Sequence, residues 1–203
     1  MEKLTKNQIK IIDFFRKNIF FKGSIREIMK QINSRSYQRV YEAIESLEKQ
    51  QILASEKIGN TKIINLNMSR KTFLNLAFFD EQEDKNIPNT SKIIELKEIS
   101  DYLIIITGSY ARKNANKKSD LDLVIIIPNK ENPVNVQKLV ENLTMLLVPE
   151  VHLYVFRKKD FIEMLTDQKD NYGKEIFRNH LILKNAQIYY ELINEAIQHG
   201  FKG

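Results

Sequence analysis

Asp120 and Asp122, separated by one leucine, follow Gly108 and Ser109 after ten intervening residues in the segment GSYARKNANKKSDLDL. The two aspartates open an apolar run, Leu121 and then Leu123 to Ile127. Side chains alternate along a strand, so both carboxylates share one face, about 7 Å apart. There they repel unless a cation lies between them. Magnesium suits such a pair, because it takes one or two carboxylates and completes its shell with substrate phosphate oxygens and water. Gly108 ends an earlier apolar run, Tyr102 to Ile106, rich in β-branched residues as a strand buried on both faces should be. Lacking a Cβ, Gly108 lets the backbone come close to a ligand. Ser109 is expected to cap a short helix formed by Tyr110, Ala111 and Arg112, and amides at such a start suit a phosphate.

The surrounding pattern supplies elements to hold these groups. Phe73, Leu74, Leu76, Ala77 and Phe78 predict a packed helix; the acidic run Asp80, Glu81, Glu83, Asp84 reads as solvated, with Pro88 as a breaker and a helix from Ser91 to Ile99. After the loop Pro128 to Pro133, the stripe Val136, Leu139, Val140, Leu143 and Leu147 predicts a returning helix ended by Pro149. The strand EVHLYVF, Glu150 to Phe156, then puts Glu150, His152 and Tyr154 on one face. Further on come a helix around Phe161 to Leu165, another helix, a strand His180 to Leu183, a turn at Lys184 and Asn185, and a last helix. The stripe Ile176, Phe177, Ile188, Tyr189 and Leu192 reads as core, and Lys174 and Arg178 either face phosphates or are simply solvated.

Gly-Ser, ten residues and Asp-x-Asp, each half bordering a strand-like run, resemble the signature of the DNA polymerase β superfamily, in particular its minimal nucleotidyltransferases. The resemblance implies transfer of NMP from an NTP, ATP among them, with Mg²⁺ or Mn²⁺ held by Asp120 and Asp122. Gly108, Ser109 and Arg112 would bind the nucleotide, and Arg112, Lys117 or Lys118 would neutralise pyrophosphate. Relatives carry a third carboxylate, an Asp, on the strand after the returning helix, where this chain has Glu150 and, at the expected position, His152. Either Glu150 completes the catalytic and metal set with a longer reach, or His152 does, or the third ligand is absent and the enzyme is weak or inactive. Relatives also often have Gly where this chain has Lys113.

Residues 1–70 hold 14 Lys+Arg against 7 Asp+Glu, so the +6 net charge of the 203-residue chain belongs to its first third. Ile9, Ile12, Phe15 and Ile19, then Ile25, Ile28, Met29 and Ile32, then Val40, Ile44 and Leu47 predict three helices. Thr5, Ser24 with Glu27, and Ser34 or Ser36 are the expected caps. LASEKIGNTKIINLN follows as two strand-like runs about Gly59 and Asn60, a hairpin signal. Three helices and a β-hairpin resemble a winged helix-turn-helix domain. That resemblance implies a recognition helix presenting Ser36, Tyr37, Gln38, Arg39, Tyr41 and Glu42, with Lys57 and Lys62 beside the wing contacting double-stranded DNA. Glu42, Glu45 and Glu48 oppose DNA along the same helix, and winged helices also dock proteins or dimerise.

The chain has no cysteine, which excludes disulfides and thiolate metal sites, and its three histidines lack zinc-ligand spacing. No apolar run reaches about 18 residues, and the first residues lack an apolar core, so a cytoplasmic protein without a membrane role is expected. The expected class is α+β in two domains: a winged helix at 1–68, a helical connector at 69–100, and a polymerase β-like domain with a mixed sheet flanked by helices at 101–203. The expected function is nucleotidyl transfer to a protein, an RNA end or a small molecule, with a toxin-like protein as one possible partner and a homodimer as a class tendency. The alternative is a DNA-binding regulator or antitoxin-like protein whose second domain only binds nucleotide or is inactive.

Overall fold

The computed structural model describes residues 4–83 and 86–203; Asp84, placed by the sequence in a solvated acidic run, lies outside them. The chain divides into two compact units, Met1–Leu76 and Ala77–Gly203. Among the described residues no helix is long and apolar enough to cross a membrane.

In the first unit, α1 (Lys6–Lys17), α2 (Ile25–Gln31) and α3 (Tyr37–Lys49) begin at Thr5, Ser24 and Ser36. Each cap's hydroxyl accepts from an amide three residues on, and Gln8 and Glu27 return the bond to the cap amide. Ile11, Phe15, Ile28, Val40, Ile44 and Leu47 are fully buried. Ile9, expected on the same stripe, is 44% exposed. The hairpin forms where its sequence signals lie, as β2 (Leu53–Ile58) and β3 (Thr61–Leu66) around a Gly59 with φ +59°. A short strand, β1 (Lys22–Ser24), pairs antiparallel with β3, giving the order β1-β3-β2. Its three residues, Lys-Gly-Ser, are too few and too polar to show alternation, so the sequence pattern does not reveal it.

Helix α4 (Arg70–Gln82) spans the division between the units. The helix expected over Ser91 to Ile99 is instead α5 (Thr90–Ile94) followed by a separate 3-10 turn, Lys97–Ile99, because Leu96 between them is extended. Strands β4 (Leu103–Ile106), β5 (Leu121–Ile127), β6 (Val151–Arg157) and β7 (Leu181–Lys184) make a mixed sheet in the order β6-β5-β4-β7. Only β5 and β6 run parallel, joined by the crossover helix α7 (Pro133–Thr144); the short α6 (Gly108–Ala111) links β4 to β5. Helices α8 (Lys158–Thr166), α9 (Tyr172–Arg178) and α10 (Ala186–Gln198) complete the unit.

Every residue of β4 is buried, and so are Leu123 to Ile127 of β5, so both faces of the sheet are covered there. Ile104, Ile106, Leu123 and Ile125 face Ile93, Val136 and Val140 on one side. By alternation Asp120, Asp122 and Val124 point to the other. Two expectations need correction. Helix α7 stops at Thr144, well before Pro149, and leaves Leu139 and Leu143 of its predicted apolar stripe 42% and 40% exposed. Asp80, read as solvated, is 4% exposed, and the Tyr190 hydroxyl donates to its Oδ2 at 2.6 Å. A buried carboxylate requires such a donor.

Candidate active site

Gly108 and Asp122 are placed against each other by the pairing of β4 with β5. Ile106 lies opposite Leu123, and Thr107 N donates to Asp122 O at 3.0 Å just beyond the last paired residue. Gly108 turns the chain out of β4 at φ +65°, and a Cβ built there would stand 1.9 Å from Asp122 Oδ2. Only glycine leaves room for this carboxylate. Thr107, not Ser109, is the N-cap residue of α6; Ser109 lies inside the first turn, half-buried, so the cap expected of it is not the one formed. The turn after α6 passes through Lys113 at φ +59°, the left-handed conformation that glycine adopts without strain.

Asp120 precedes β5 and Asp122 is its second residue, their side chains 45% and 27% exposed. On the neighbouring strand His152 is in register with Asp122. Its Nε2 lies 3.6 Å from Asp120 Oδ2 and its Nδ1 3.9 Å from Asp122 Oδ1. Burial holds the Asp122 carboxyl above the ordinary aspartate range, and the Asp120 charge adds to this, while His152 and Arg112 act in the opposite sense.

Glu150 lies one residue before Val151, the partner of Leu121. It precedes β6, is exposed, and contributes its backbone carbonyl, which accepts from Leu121 N at 2.8 Å. Among the described residues no three His, Asp or Glu side chains are gathered as a metal cage. The structure thus brings Asp120, Asp122 and Gly108 together and sets His152 beside both aspartates.

Arg112, at the end of α6, is exposed and pairs with Glu175 of α9 through Nη1 at 3.0 Å. Lys117 and Lys118 are exposed in the loop before β5. Arg178 is held by Asp170 at 2.7 Å. Two residues that the sequence did not single out, Thr107 and Tyr172, also border the site. Thr107 Oγ1 and the Tyr172 hydroxyl are 3.1 Å apart, and the Tyr172 ring packs on Tyr154 at 4.8 Å between centroids. Burial pushes the Tyr172 hydroxyl up to about 12, so it remains a neutral hydrogen-bonding group at physiological pH. Tyr172 lies 50 residues beyond Asp122, on α9 rather than β5, and no local spacing announces it.

In the first unit, Ser36 caps α3, Tyr37 is 46% exposed and Arg39 is exposed. Gln38 donates to Glu42 at 2.8 Å. Lys57 is exposed on β2, whereas Lys62 is held by Glu48 at 2.6 Å. The first turn of α3 therefore gathers four of the residues expected to meet DNA, and Lys62 is drawn back by a carboxylate of the same helix.

No curated protein and no solved structure matches this chain. Residues 90–183 match the family described as nucleotidyltransferase domain, a span that begins at α5 and includes β4, the Gly108 turn, both aspartates, β6 and most of β7. Residues 90–183 of this chain are therefore similar to a nucleotidyltransferase domain.

Proposed function

We propose that this chain transfers a nucleoside monophosphate from an NTP to an acceptor hydroxyl, at a centre made by Asp120, Asp122 and the Gly108 turn. The observation that carries this reading is the close approach of Gly108 to Asp122, which sets the backbone of the turn against the point where two carboxylates share a strand face. The donor set fits a divalent cation: two hard carboxylate oxygens from one face, with the other positions left to phosphate and water. Asp120 and Asp122 would hold Mg²⁺ or Mn²⁺, which would supply Lewis-acid stabilisation of phosphate charge and a lowered pKa for the attacking hydroxyl. The amides of Gly108 and Ser109, with the Ser109 hydroxyl, bind the β- and γ-phosphates, and Arg112, whose charge acts on Asp122, neutralises the leaving pyrophosphate. His152 sits beside both carboxylates.

Transfer of label from α-labelled ATP, with the chain itself and added RNA and protein as acceptors, tests this reading. Label incorporation that requires Mg²⁺ or Mn²⁺ and disappears in Asp122→Asn is expected. Equal incorporation by that variant would contradict the assignment.

The first unit favours a companion role. Its order α1-β1-α2-α3-β2-β3 and the exposed Tyr37, Gln38 and Arg39 on the first turn of α3 support a winged helix that binds duplex DNA. Ser36, Tyr37, Gln38, Arg39 and Lys57 are the contacts on this reading, with Lys62 subordinate because Glu48 already neutralises it. Duplex affinity should fall steeply with salt, and Arg39→Ala should reduce the slope of log affinity against log salt by about 1. An unchanged slope and affinity would remove α3 as the DNA-reading element.

A further inference from the structure

Strand β6 ends the sheet, and its outer edge pairs with no strand among the described residues. Because Glu150 O accepts from Leu121 N, alternation turns the amides and carbonyls of Val151, Leu153 and Val155 away from β5, toward that open edge. A groove of about 910 Å³ runs there. It is lined by the consecutive residues Glu150 to Tyr154, so it follows the strand edge rather than either face of the sheet, and the end of α7 and the segment after it form the opposite wall.

That segment is apolar and exposed. Met145, Leu146 and Val148 are 74%, 87% and 86% exposed, and Asn89 holds the chain in place by donating to Val148 O at 2.9 Å. The charged lining residues are Glu141 and Glu150, without a lysine or arginine. Grooves that track single-stranded nucleic acid are positively charged; this one repels a phosphate backbone and suits a peptide that carries apolar and basic side chains. His152 lines the groove and lies 3.6 Å from Asp120.

We propose that an extended polypeptide segment adds to β6 as a further strand in this groove, and that the segment is the acceptor of the nucleotidyl group. The proposal rests on the transfer reading above and names its acceptor class. A serine, threonine or tyrosine hydroxyl oxygen of the segment bonds to the α-phosphorus of the NTP. The bond from that phosphorus to the α–β bridging oxygen breaks, pyrophosphate leaves, and the hydroxyl proton passes to solvent. Backbone bonds to the outward amides and carbonyls give the segment its register, the apolar wall gives it contact area, and Glu141 and Glu150 select basic side chains.

Selection of displayed random peptides on the full chain tests this, with a short single-stranded RNA as the competing probe. Expected are binders that alternate apolar with Lys or Arg residues, slow the hydrogen exchange of the Val151, Leu153 and Val155 amides, and accept label from α-labelled ATP. The double variant Met145→Ser, Val148→Ser alters only exposed side chains and should weaken these binders at least about tenfold. The proposal fails if no binder emerges, if binding survives the double variant, if the RNA protects the same amides, or if those amides are buried by self-association of the chain. Nucleotide binding is read separately as a thermal shift with NTP and Mg²⁺. A chain that shows the shift but binds no peptide contradicts the groove assignment alone, whereas one that binds peptide without the shift contradicts the transfer reading.

Discussion

At Gly108 two constraints meet, a left-handed φ of +65° and a carboxylate where a Cβ would be. The first alone costs a side chain about 1–2 kcal/mol. The second forces Asp122 to move, and an ångström of misplacement in a reacting centre costs about 100-fold in rate. Gly108→Ala should therefore lower the melting temperature modestly and cut nucleotidyl transfer by about 100-fold, as measured by thermal unfolding and by label transfer from α-labelled ATP. A variant that melts lower but transfers at the native rate would separate the turn from the chemistry. The Gly-Ser and Asp-x-Asp pattern was legible because each half abuts an apolar run, and alternation along the chain entering β5 puts Asp120 and Asp122 on one face. His152 was harder to place. Its neighbours depend on the parallel register of β6 against β5, which no local spacing encodes, and the same holds for Tyr172 above Thr107.

Elements of this chain are set largely by their ends. The Glu27 carboxylate accepts from the Ser24 amide at 2.6 Å and from its hydroxyl at 2.8 Å, and the amide bond chiefly holds Glu27 below the usual glutamate range. A depressed folded value means that this contribution to stability is present above pH 4.5, the ordinary value, and is lost as pH falls through the folded one. Glu27→Gln, which keeps an acceptor but no charge, should melt below the native chain at pH 7 and converge with it in acid; parallel curves at all pH values would refute the charged cap. Tyr190→Phe should cost about 1–3 kcal/mol by denaturant unfolding, since it strips a hydrogen bond from the buried Asp80 carboxylate. A loss of a few tenths would mean that the other contacts of Asp80 suffice. The caps at Thr5, Ser24 and Ser36 and the hairpin at Gly59 were readable because their signals are local. Strand β1 and the burial of Asp80 were not, because each depends on a partner far along the chain, and no local signal marks the extended Leu96 that splits α5 from its following turn.

On the scale of the whole molecule, the basic surplus of residues 1–70 and the site of residues 108–152 fall in different compact units. Each unit is therefore open to its own test, the salt dependence of duplex binding for the first and metal-dependent nucleotide binding for the second. The central claim is that Asp120 and Asp122 bind a divalent cation together with a nucleoside triphosphate beside Gly108. Calorimetric titration of ATP into the chain with Mg²⁺, repeated with chelator and with Asp122→Asn, measures this most directly. The account predicts saturable binding that needs Mg²⁺ and weakens about 10- to 100-fold in Asp122→Asn, the equivalent of one lost interaction with a charged group. Binding of equal strength without Mg²⁺, or undiminished in Asp122→Asn, would contradict it.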